Sequence, residues 1–475
     1  MAAPGFTLPP VDRVAISLSP GELRAASLRG GRPWDLFIAR ASRPALTGNV
    51  YLARVRRLEP GLDAAFLDIG EAEPAFLPLA RARPSEGAAL LVQIARDGFD
   101  GKGPTASTRI ALPSRTLVYT PGRPGLAASR HFGDAEARRR AQGVLKRLLA
   151  PDEGAVLRRA AMHAGPERLA ADLEAMRRVW REIQDAARMA QAPALLHRDL
   201  PPLLRFLRDR VAAGTVLIDD RSAFAEAERF ATAQAPDLLP MLRRQDEAEP
   251  LFESLGIESE IERALETSTP LPGGGALHIE TTRALTAIDV DTGRFIDRRG
   301  AKETMLQSGL EASVEAARVL RFRNIGGLIV IDFAAPPDRA NRRRIDARLR
   351  TAFAEDIADV RFVPMSDLGL VEMSRQRLGP SLAEILGERC GRCGGTGWTE
   401  SPETAALAAL RAVLRAAAAE PGGRVSLAAT PAVADLLEDA LAPARQEVEA
   451  RLGRPLPLRR QPPAGWPQAQ VEMIR

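Results

Sequence analysis

Apolar and polar residues alternate with a period of two over the first quarter of the chain. Residues 12–40 are predicted to form two or three short strands with a turn at Gly30 and Gly31, because glycine tolerates the backbone conformations of tight turns. Residues 47–118 contain five further strand-like stretches, separated by Gly, Pro, Asp and Glu clusters. Five short strands in succession are typical of a small closed barrel of the OB type.

The period changes to that of helices after residue 134. Apolar residues recur at spacings of three and four over 134–149 and 166–189, which predicts two helices, with a strand at 154–161 between them. After a turn at 269–275, strands alternate with helices at 302–322 and 338–354. This alternation predicts a parallel or mixed sheet flanked by helices, and the residues from 400 onward predict a small αβ module.

Composition indicates a multidomain protein with a basic character. The chain has 475 residues, 45% of them hydrophobic, and no apolar run approaches the ~20 residues that a membrane span requires. We therefore expect a cytoplasmic protein. The formal charge is only +5, but nearly every base is an arginine, and guanidinium binds phosphate in a bidentate manner. Nucleic acid is a candidate partner, although a GC-rich genome would produce the same composition.

Two aspartates end consecutive apolar strands of the predicted sheet. Asp289 and Asp332 are separated by one long helix, and a right-handed crossover of this size places its two strands parallel and usually adjacent. Both carboxylates would then lie at one edge of the sheet and hold a Mg²⁺ ion, with Asp291 as a third oxygen ligand. The alternative is that these aspartates are turn formers or helix caps. Several arginines expected near the two aspartates weigh against this alternative; they are Arg321, Arg323, Arg342, Arg343 and Arg344.

The two cysteines are candidate metal ligands. Cys390 and Cys393 are the only cysteines, which excludes a disulfide framework, and the glycine-rich residues that follow them resemble half of a zinc ribbon. The four histidines lie far apart with no paired spacing. A second copy of the chain is therefore the simplest source of the two missing zinc ligands. A redox-active dithiol is the alternative.

Two phenylalanines of the predicted barrel are candidates for contact with nucleic acid. Phe66 and Phe76 lie on neighbouring predicted strands, and Lys102 lies in a nearby loop. Aromatic rings beside a cation form a stacking surface for single-stranded bases. The alternative is that both rings fill the barrel core.

Four ordered motifs, together with the barrel segment, point to one family. They are LTAIDVDTGRF at 285–295, GGLIVIDF at 326–333, GLVEMSRQR at 369–377 and CGRCGGTG at 390–397. The barrel segment at 48–70 follows the same pattern. From about Val14 to its C-terminus the chain resembles the ribonuclease E / ribonuclease G family.

This resemblance implies an endoribonuclease that cuts single-stranded, typically AU-rich RNA in RNA decay or in rRNA and tRNA maturation. The expected products carry a 5′-phosphate and a 3′-hydroxyl. The resemblance implies catalytic Mg²⁺ at Asp289 and Asp332, and a homodimer or homotetramer joined by Zn²⁺ at Cys390 and Cys393. It further implies RNA contacts at Phe66, Phe76 and Lys102, and recognition of the RNA 5′ end at Val118, Arg158 and Arg159.

The fold implied is an α/β and α+β multidomain arrangement. An RNase H-like domain at 1–45 and 208–267 is interrupted by an OB-fold domain at 46–111 and a 5′-end sensor at 112–207. A DNase I-like catalytic domain, a zinc link and a small oligomerisation domain follow at 268–387, 388–399 and 400–475. We expect a compact member of the family without a scaffold tail.

Three positions depart from the family pattern. Asp291 stands where an asparagine is usual, Ala335 replaces an acidic residue, and Arg159 replaces the threonine of the sensor strand. These departures leave open an RNA-binding paralogue that cuts poorly. A zinc-linked structural hub in ribosome assembly is a third possibility.

Overall fold

The structure is a computed structural model whose described residues are 7–79, 84–98, 102–246, 249–293, 300–333, 338–388, 390, 393, 395, 397, 399–420, 423–462 and 468–474. The chain divides into two compact units, Met1–Leu386 and Gly387–Arg475. Among these described residues, no helix has the length and apolar character needed to span a membrane.

The chain begins with an antiparallel three-stranded meander. Its strands are β1 (Arg13–Ser19), β2 (Glu22–Arg29) and β3 (Arg32–Arg40). The turn between β2 and β3 lies at Gly30 and Gly31, where both φ angles are positive, at 57° and 74°. Glycine adopts this left-handed region without steric cost, so the predicted turn position is confirmed.

A closed barrel follows the meander. Its strands are β4 (Val50–Glu59), β5 (Ala64–Asp68), β6 (Ala75–Pro78), β7 (Ala89–Arg96) and β8 (Thr105–Ser107). The strands pair in the order β4-β5-β6-β8-β7, and pairing of β4 with β7 closes the barrel. Tyr51, Val55 and Leu67 are among the residues that fill its interior. The predicted five-stranded barrel is confirmed.

A small sheet with two covering helices comes next. Its elements are β9 (Leu112–Pro113), β10 (Leu117–Thr120), β11 (Gly125–Ala128), α1 (Ala135–Leu148), β12 (Gly154–Leu157) and α2 (Pro166–Met189). The sheet order is β11-β12-β10-β9. The strand predicted at 154–161 is shorter than expected, because the backbone turns into a short 3₁₀ helix at Arg159–His163. The following strand, β13 (Ala194–His197), pairs with β4 of the barrel.

The chain then returns to the first sheet. The returning elements are α3 (Pro202–Asp209), β14 (Thr215–Ile218), α4 (Arg221–Gln234), β15 (Leu242–Arg244), α5 (Leu251–Ser254) and α6 (Ile257–Arg263). Strand β14 pairs in parallel with β1 and extends the sheet to the order β15-β14-β1-β2-β3. Val14, Ile16 and Phe230 belong to the core that joins the two distant segments of sequence.

A mixed sheet completes the first unit. Its elements are β16 (Ser268–Pro270), β17 (Ala276–Thr281), β18 (Leu285–Asp291), α7 (Ala301–Phe322), β19 (Gly327–Asp332), α8 (Arg339–Ala352), β20 (Val360–Phe362), β21 (Leu370–Arg375) and α9 (Leu382–Leu386). The order is β16-β17-β18-β19-β21-β20, with β18 and β19 parallel. Alternate residues of β18 and β19 pack into one core with α7 and α8. The residues between them face the opposite side of the sheet, where side chains such as Ala287 and Leu328 are exposed.

The second unit is an αβ module. It contains α10 (Pro402–Ala419), β22 (Arg424–Ala429), α11 (Pro431–Glu438), α12 (Ala442–Leu452), β23 (Leu458–Arg460) and β24 (Ala469–Ile474). The sheet order is β23-β22-β24. Strands β23 and β24 lie in the proline-rich end of the chain.

Candidate functional site

The two predicted metal-binding aspartates lie side by side on the mixed sheet. Asp289 lies on the exposed face of β18 beside Asp332 of β19, and the two residues are direct partners in the parallel register. Adjacent strands are about 4.8 Å apart, and both side chains are exposed. The two carboxylates could therefore hold one ion without a rearrangement of the backbone.

The local environment favours a hard, partly hydrated cation. Asp289 makes no side-chain hydrogen bond or ion pair with the described residues. Asp291 points to the same face of β18, and its carboxylate accepts a hydrogen bond of 2.8 Å from the backbone N–H of Gly293. Among the described residues, no three Asp, Glu, His or Cys side chains are arranged as a complete metal site. Mg²⁺ commonly takes only one or two protein carboxylates and completes its shell with water and substrate phosphate, so this donor set fits it.

A histidine that the sequence analysis did not select lies in the same row. His278 of β17 is the antiparallel partner of Asp289, and its side chain is half-buried. The row across three strands therefore reads His278, Asp289 and Asp332. The alternation of apolar and polar residues in β17 indicates which face of the strand His278 occupies. Its position opposite Asp289 depends on the length of the turn between β17 and β18, which the alternation does not give.

Two of the arginines expected beside the aspartates lie elsewhere, and this part of the prediction is wrong. Helix α7 connects two parallel strands, so it runs antiparallel to them and ends at the opposite edge of the sheet. Arg321, in its last turn, donates to Asp35 of β3 at 2.7 Å. Arg323, one residue beyond the helix, donates to the backbone oxygen of Glu266 at 2.8 Å.

The other three arginines occupy the first half of α8. This helix follows β19 after residues 334–337, so Ala335 lies outside the described residues. Arg342 pairs with Asp367 at 2.8 Å. Arg343 and Arg344 are exposed on the same helix.

The barrel carries a row of aromatic and basic side chains across its strands. Phe66 of β5 is the direct partner of Phe76 of β6, with ring centroids 5.9 Å apart in an edge-on arrangement. Both rings are half-buried, and neither belongs to the barrel core. The register continues from Phe76 to Thr105 of β8 and from Thr105 to Arg96 of β7. On the other side, Arg57 of β4 is the partner of Phe66.

Basic residues flank the two rings. The guanidinium of Arg57 lies 5.2 Å from the centroid of the Phe66 ring, which is within the range of a cation–π interaction. Arg57 and Arg96 were not selected from the sequence, because neither is close to the phenylalanines along the chain. Lys102 is exposed in the loop that precedes β8.

The residues expected to recognise the RNA 5′ end surround the small sheet. Val118 lies in β10 opposite Val156 of β12. Arg158 follows β12, donates to the backbone oxygen of Ser114 at 2.7 Å and forms an ion pair with Asp209 at 2.8 Å. Arg159 begins the 3₁₀ helix and is exposed. The two arginines thus lie beyond the strand rather than within it.

The partner of Arg158 is firmly ionised. Burial raises the pKa of Asp209, but the guanidinium of Arg208, together with that of Arg158, outweighs burial and lowers this pKa to about 2. An ionised carboxylate in a half-buried position holds its counter-ion strongly. The guanidinium of Arg158 is therefore already engaged within the protein.

The cysteine pair lies at the start of the second unit. Cys390 is exposed, Cys393 is partly exposed, and no disulfide joins them. Gly395 and Gly397 have φ angles of 92° and 76°, a conformation that glycine adopts without steric cost. This glycine-rich backbone suits a tight metal-binding turn better than the helix that usually follows a redox-active dithiol.

Comparison with known proteins identifies the family. The sequence profile of the Ribonuclease E/G family matches residues 111–378. Ribonuclease G of Escherichia coli (strain K12) is 31% identical over 483 residues, which cover 97% of this chain and 99% of the relative. Ribonuclease E of Haemophilus influenzae is 34% identical over 393 residues, which cover 78% of this chain and 42% of the relative. The chain belongs to the ribonuclease E/G family.

Proposed function

We propose that this protein is a Mg²⁺-dependent endoribonuclease that hydrolyses single-stranded RNA and leaves a 5′-phosphate and a 3′-hydroxyl. Its family membership supports an endoribonuclease. The observation that carries the proposal is the direct pairing of Asp289 with Asp332 on the exposed face of the mixed sheet. RNA decay and the maturation of rRNA and tRNA are the processes that such an activity serves.

The protein's own groups have distinct parts in this chemistry. Asp289 and Asp332 would hold the ion, which when bound supplies an activated water and offsets charge on the phosphate. Asp291, restrained by its hydrogen bond from Gly293, adds negative charge beside the pair and so strengthens the attraction for the cation. The barrel would bind the RNA strand. Phe66 and Phe76 offer stacking surfaces for its bases, and Lys102, Arg57 and Arg96 offer cations for its phosphates.

Assembly through zinc completes the proposal. Cys390 and Cys393 provide two thiolates, and a structural zinc ion takes four ligands. The same two residues from a second copy of the chain would complete a tetrahedral site with twofold symmetry. The proposed assembly is a homodimer or a homotetramer.

The decisive experiment separates cleavage from binding. We expect Asp289→Asn or Asp332→Asn to slow single-turnover cleavage of a labelled AU-rich oligonucleotide at least about a hundredfold, because the ion that activates water is lost. The Kd for the same RNA should change by no more than a fewfold, because the barrel does not use the ion. Glu280→Gln is the matched control, since it removes an exposed carboxylate from the neighbouring strand β17.

Two outcomes would contradict the proposal. The first is cleavage that survives either aspartate substitution or an excess of chelator. The second is a wild-type protein that binds the oligonucleotide but leaves it intact in Mg²⁺, which would identify an RNA-binding paralogue instead. The end groups are checked on the product, whose 5′ end should be sensitive to phosphatase.

A further inference from the structure

An open cavity of about 580 Å³ lies where the barrel meets the small sheet. This volume falls within the range of ligand-binding clefts, roughly 300–1,000 Å³. Barrel residues and the loop after β8 form one wall, and the turn between β10 and β11 together with α2 forms the other. The lining residues are Leu91, Thr108, Arg109, Ile110, Pro121, Gly122, Arg123 and Trp180.

The cavity is basic, and the lining residues that the structure describes include no counter-ion. Arg109 and Arg123 are both exposed, and neither side chain forms an ion pair or hydrogen bond with the described residues. Within the described part of the chain, no aspartate or glutamate lines the cavity. Arg158, by contrast, is paired with Asp209. Two guanidinium groups that share a cavity without a carboxylate attract a phosphate, which guanidinium binds in a bidentate manner.

The backbone on both sides of the cavity is held in place. Thr120 donates through its hydroxyl to the backbone oxygen of Arg123 at 3.3 Å. The turn at Arg123 also packs tightly on β12, because a Cβ atom on Gly154 would lie only 2.1 Å from that oxygen. Across the cavity, the N–H of Arg109 donates to the hydroxyl of Ser107 at 3.0 Å. Both arginines therefore project from fixed backbone positions.

Trp180 gives the cavity an aromatic surface. Part of its side chain packs against the core beneath the small sheet, and the ring also lines the cavity. The core fixes the indole without covering it fully. Fixed aromatic rings beside cations are the usual surface on which unpaired bases stack in proteins that bind single strands.

We infer that this cavity binds one nucleotide of single-stranded RNA, with the base against Trp180 and its flanking phosphates on Arg109 and Arg123. This inference rests on the proposed function, since it adds a contact for the same substrate. Arg109 is four residues from Thr105 of the barrel row, so their Cα atoms are no more than about 14 Å apart. An OB fold binds roughly 4–16 nucleotides of a single strand. An RNA segment of that length extends over this distance.

Equilibrium binding to a cleavage-deficient Asp289→Asn protein tests the site. We expect Arg109→Ala with Arg123→Ala to weaken binding of a single-stranded oligonucleotide about tenfold. The slope of log K against log salt should become shallower by about 1.4, because each phosphate contact on a single strand contributes about 0.7. Trp180→Leu should weaken binding about tenfold and leave the slope unchanged, because stacking is not ionic.

The control is the double substitution Arg221→Ala with Arg229→Ala on α4, which removes the same charge from two exposed arginines away from the cavity. If the cavity variant has the Kd and salt slope of this control, the inference is wrong. Oligonucleotides with a 5′-hydroxyl and with a 5′-monophosphate show which nucleotide of the strand occupies the cavity. An equal loss of affinity for both oligonucleotides indicates an internal nucleotide. A loss of affinity only for the 5′-monophosphorylated oligonucleotide indicates the nucleotide at the 5′ end.

Failure of this inference is separate from failure of the proposed function. The binding assay involves no cleavage, so a protein that binds RNA through the cavity but does not hydrolyse it would contradict only the nuclease proposal. A protein that cleaves RNA but binds it independently of Arg109, Arg123 and Trp180 would contradict only the cavity assignment.

Discussion

Arg158 is one of the residues expected from the family resemblance to recognise the RNA 5′ end, and its surroundings bear directly on that expectation. Its guanidinium is shared between Asp209 and the backbone oxygen of Ser114. A terminal phosphate would have to displace a carboxylate whose pKa is about 2. The exposed Arg159 adds general attraction for the RNA backbone but lacks the directional hydroxyl of a threonine.

We therefore predict less than a tenfold preference for 5′-monophosphorylated over 5′-hydroxyl RNA, which corresponds to under about 1.4 kcal/mol. Initial cleavage rates on the two oligonucleotides at one salt concentration measure this ratio. Arg159→Thr should increase the preference. A wild-type ratio well above ten would show that a phosphate reaches Arg158 despite Asp209.

The residues of the aspartate pair could be predicted because two simple rules apply to them. Alternation placed Asp289 and Asp291 on one face of a strand, and the handedness of a strand-helix-strand crossover placed Asp332 on the neighbouring strand. His278 and Arg57 were missed because antiparallel register depends on turns and bulges, such as the irregularity between Val55 and Arg57. The position of Arg321 differed from the expectation because α7 runs antiparallel to β18 and β19, a direction that proximity in the sequence does not reveal.

At the scale of elements, α7 approaches α8 closely at a glycine. A Cβ atom on Gly309 of α7 would lie 2.5 Å from the Cδ1 atom of Ile345 of α8, which is fully buried. A glycine inside a helix normally costs about 1 kcal/mol relative to alanine. Here the side chain of Ile345 would have to move to admit an alanine.

We predict that Gly309→Ala is neutral to destabilising by about 1 kcal/mol, because displacement of Ile345 offsets the gain in helix propensity. Gly143→Ala in α1 is the matched control. Nothing lies within 4 Å of a Cβ atom at that position, so it should stabilise the protein by about 0.5–1 kcal/mol. Urea denaturation measures the free energy of unfolding of both variants. Equal stabilisation of the two would show that α7 and α8 are not tightly packed at Gly309.

The long helices were the easiest elements to predict, because many residues repeat the same helical spacing. The helices at Ala301–Phe322 and Arg339–Ala352 lie close to their predicted bounds. The observed strand Gly154–Leu157 is shorter than the predicted strand at 154–161. The N–H of Ala161 donates to the backbone oxygen of Arg158 and turns the chain, and a pattern of four alternating residues does not reveal such a turn.

Within the first unit, the ion pair between Asp35 and Arg321 is one of several that join the meander to the segment of the mixed sheet. Arg321 of α7 donates to both carboxylate oxygens of Asp35 in β3, at 3.0 and 2.7 Å. The hydroxyl of Ser27 donates to the same carboxylate at 2.6 Å. Burial raises the pKa of Asp35, but Arg321 outweighs it and lowers the pKa below the usual value. The folded state therefore favours the ionised form.

We predict that Asp35→Asn lowers the free energy of unfolding by about 2 kcal/mol at neutral pH, because it leaves the guanidinium of Arg321 buried without its counter-ion. The difference should shrink as the pH falls below about 4, where the carboxyl of the unfolded wild type binds a proton. Glu136→Gln is the control, since its pair with Arg140 is largely exposed and should contribute under about 0.5 kcal/mol. A penalty that stays constant from pH 7 to pH 3 would mean that ionisation of Asp35 is not its source.

At the scale of the whole molecule, the proposed assembly of chains through zinc can be tested by zinc stoichiometry. Two thiolates per chain satisfy half of a structural zinc site, so a link between chains requires one zinc for every two chains. Metal analysis with mass measurement on the intact protein should give this ratio. Changing Cys390 and Cys393 to Ser should remove the zinc and reduce the oligomer size, because the metal's binding energy then no longer holds the chains together. A ratio of one zinc per chain would place the other ligands within the subunit. A zinc-free protein with a reducible disulfide would support the redox alternative.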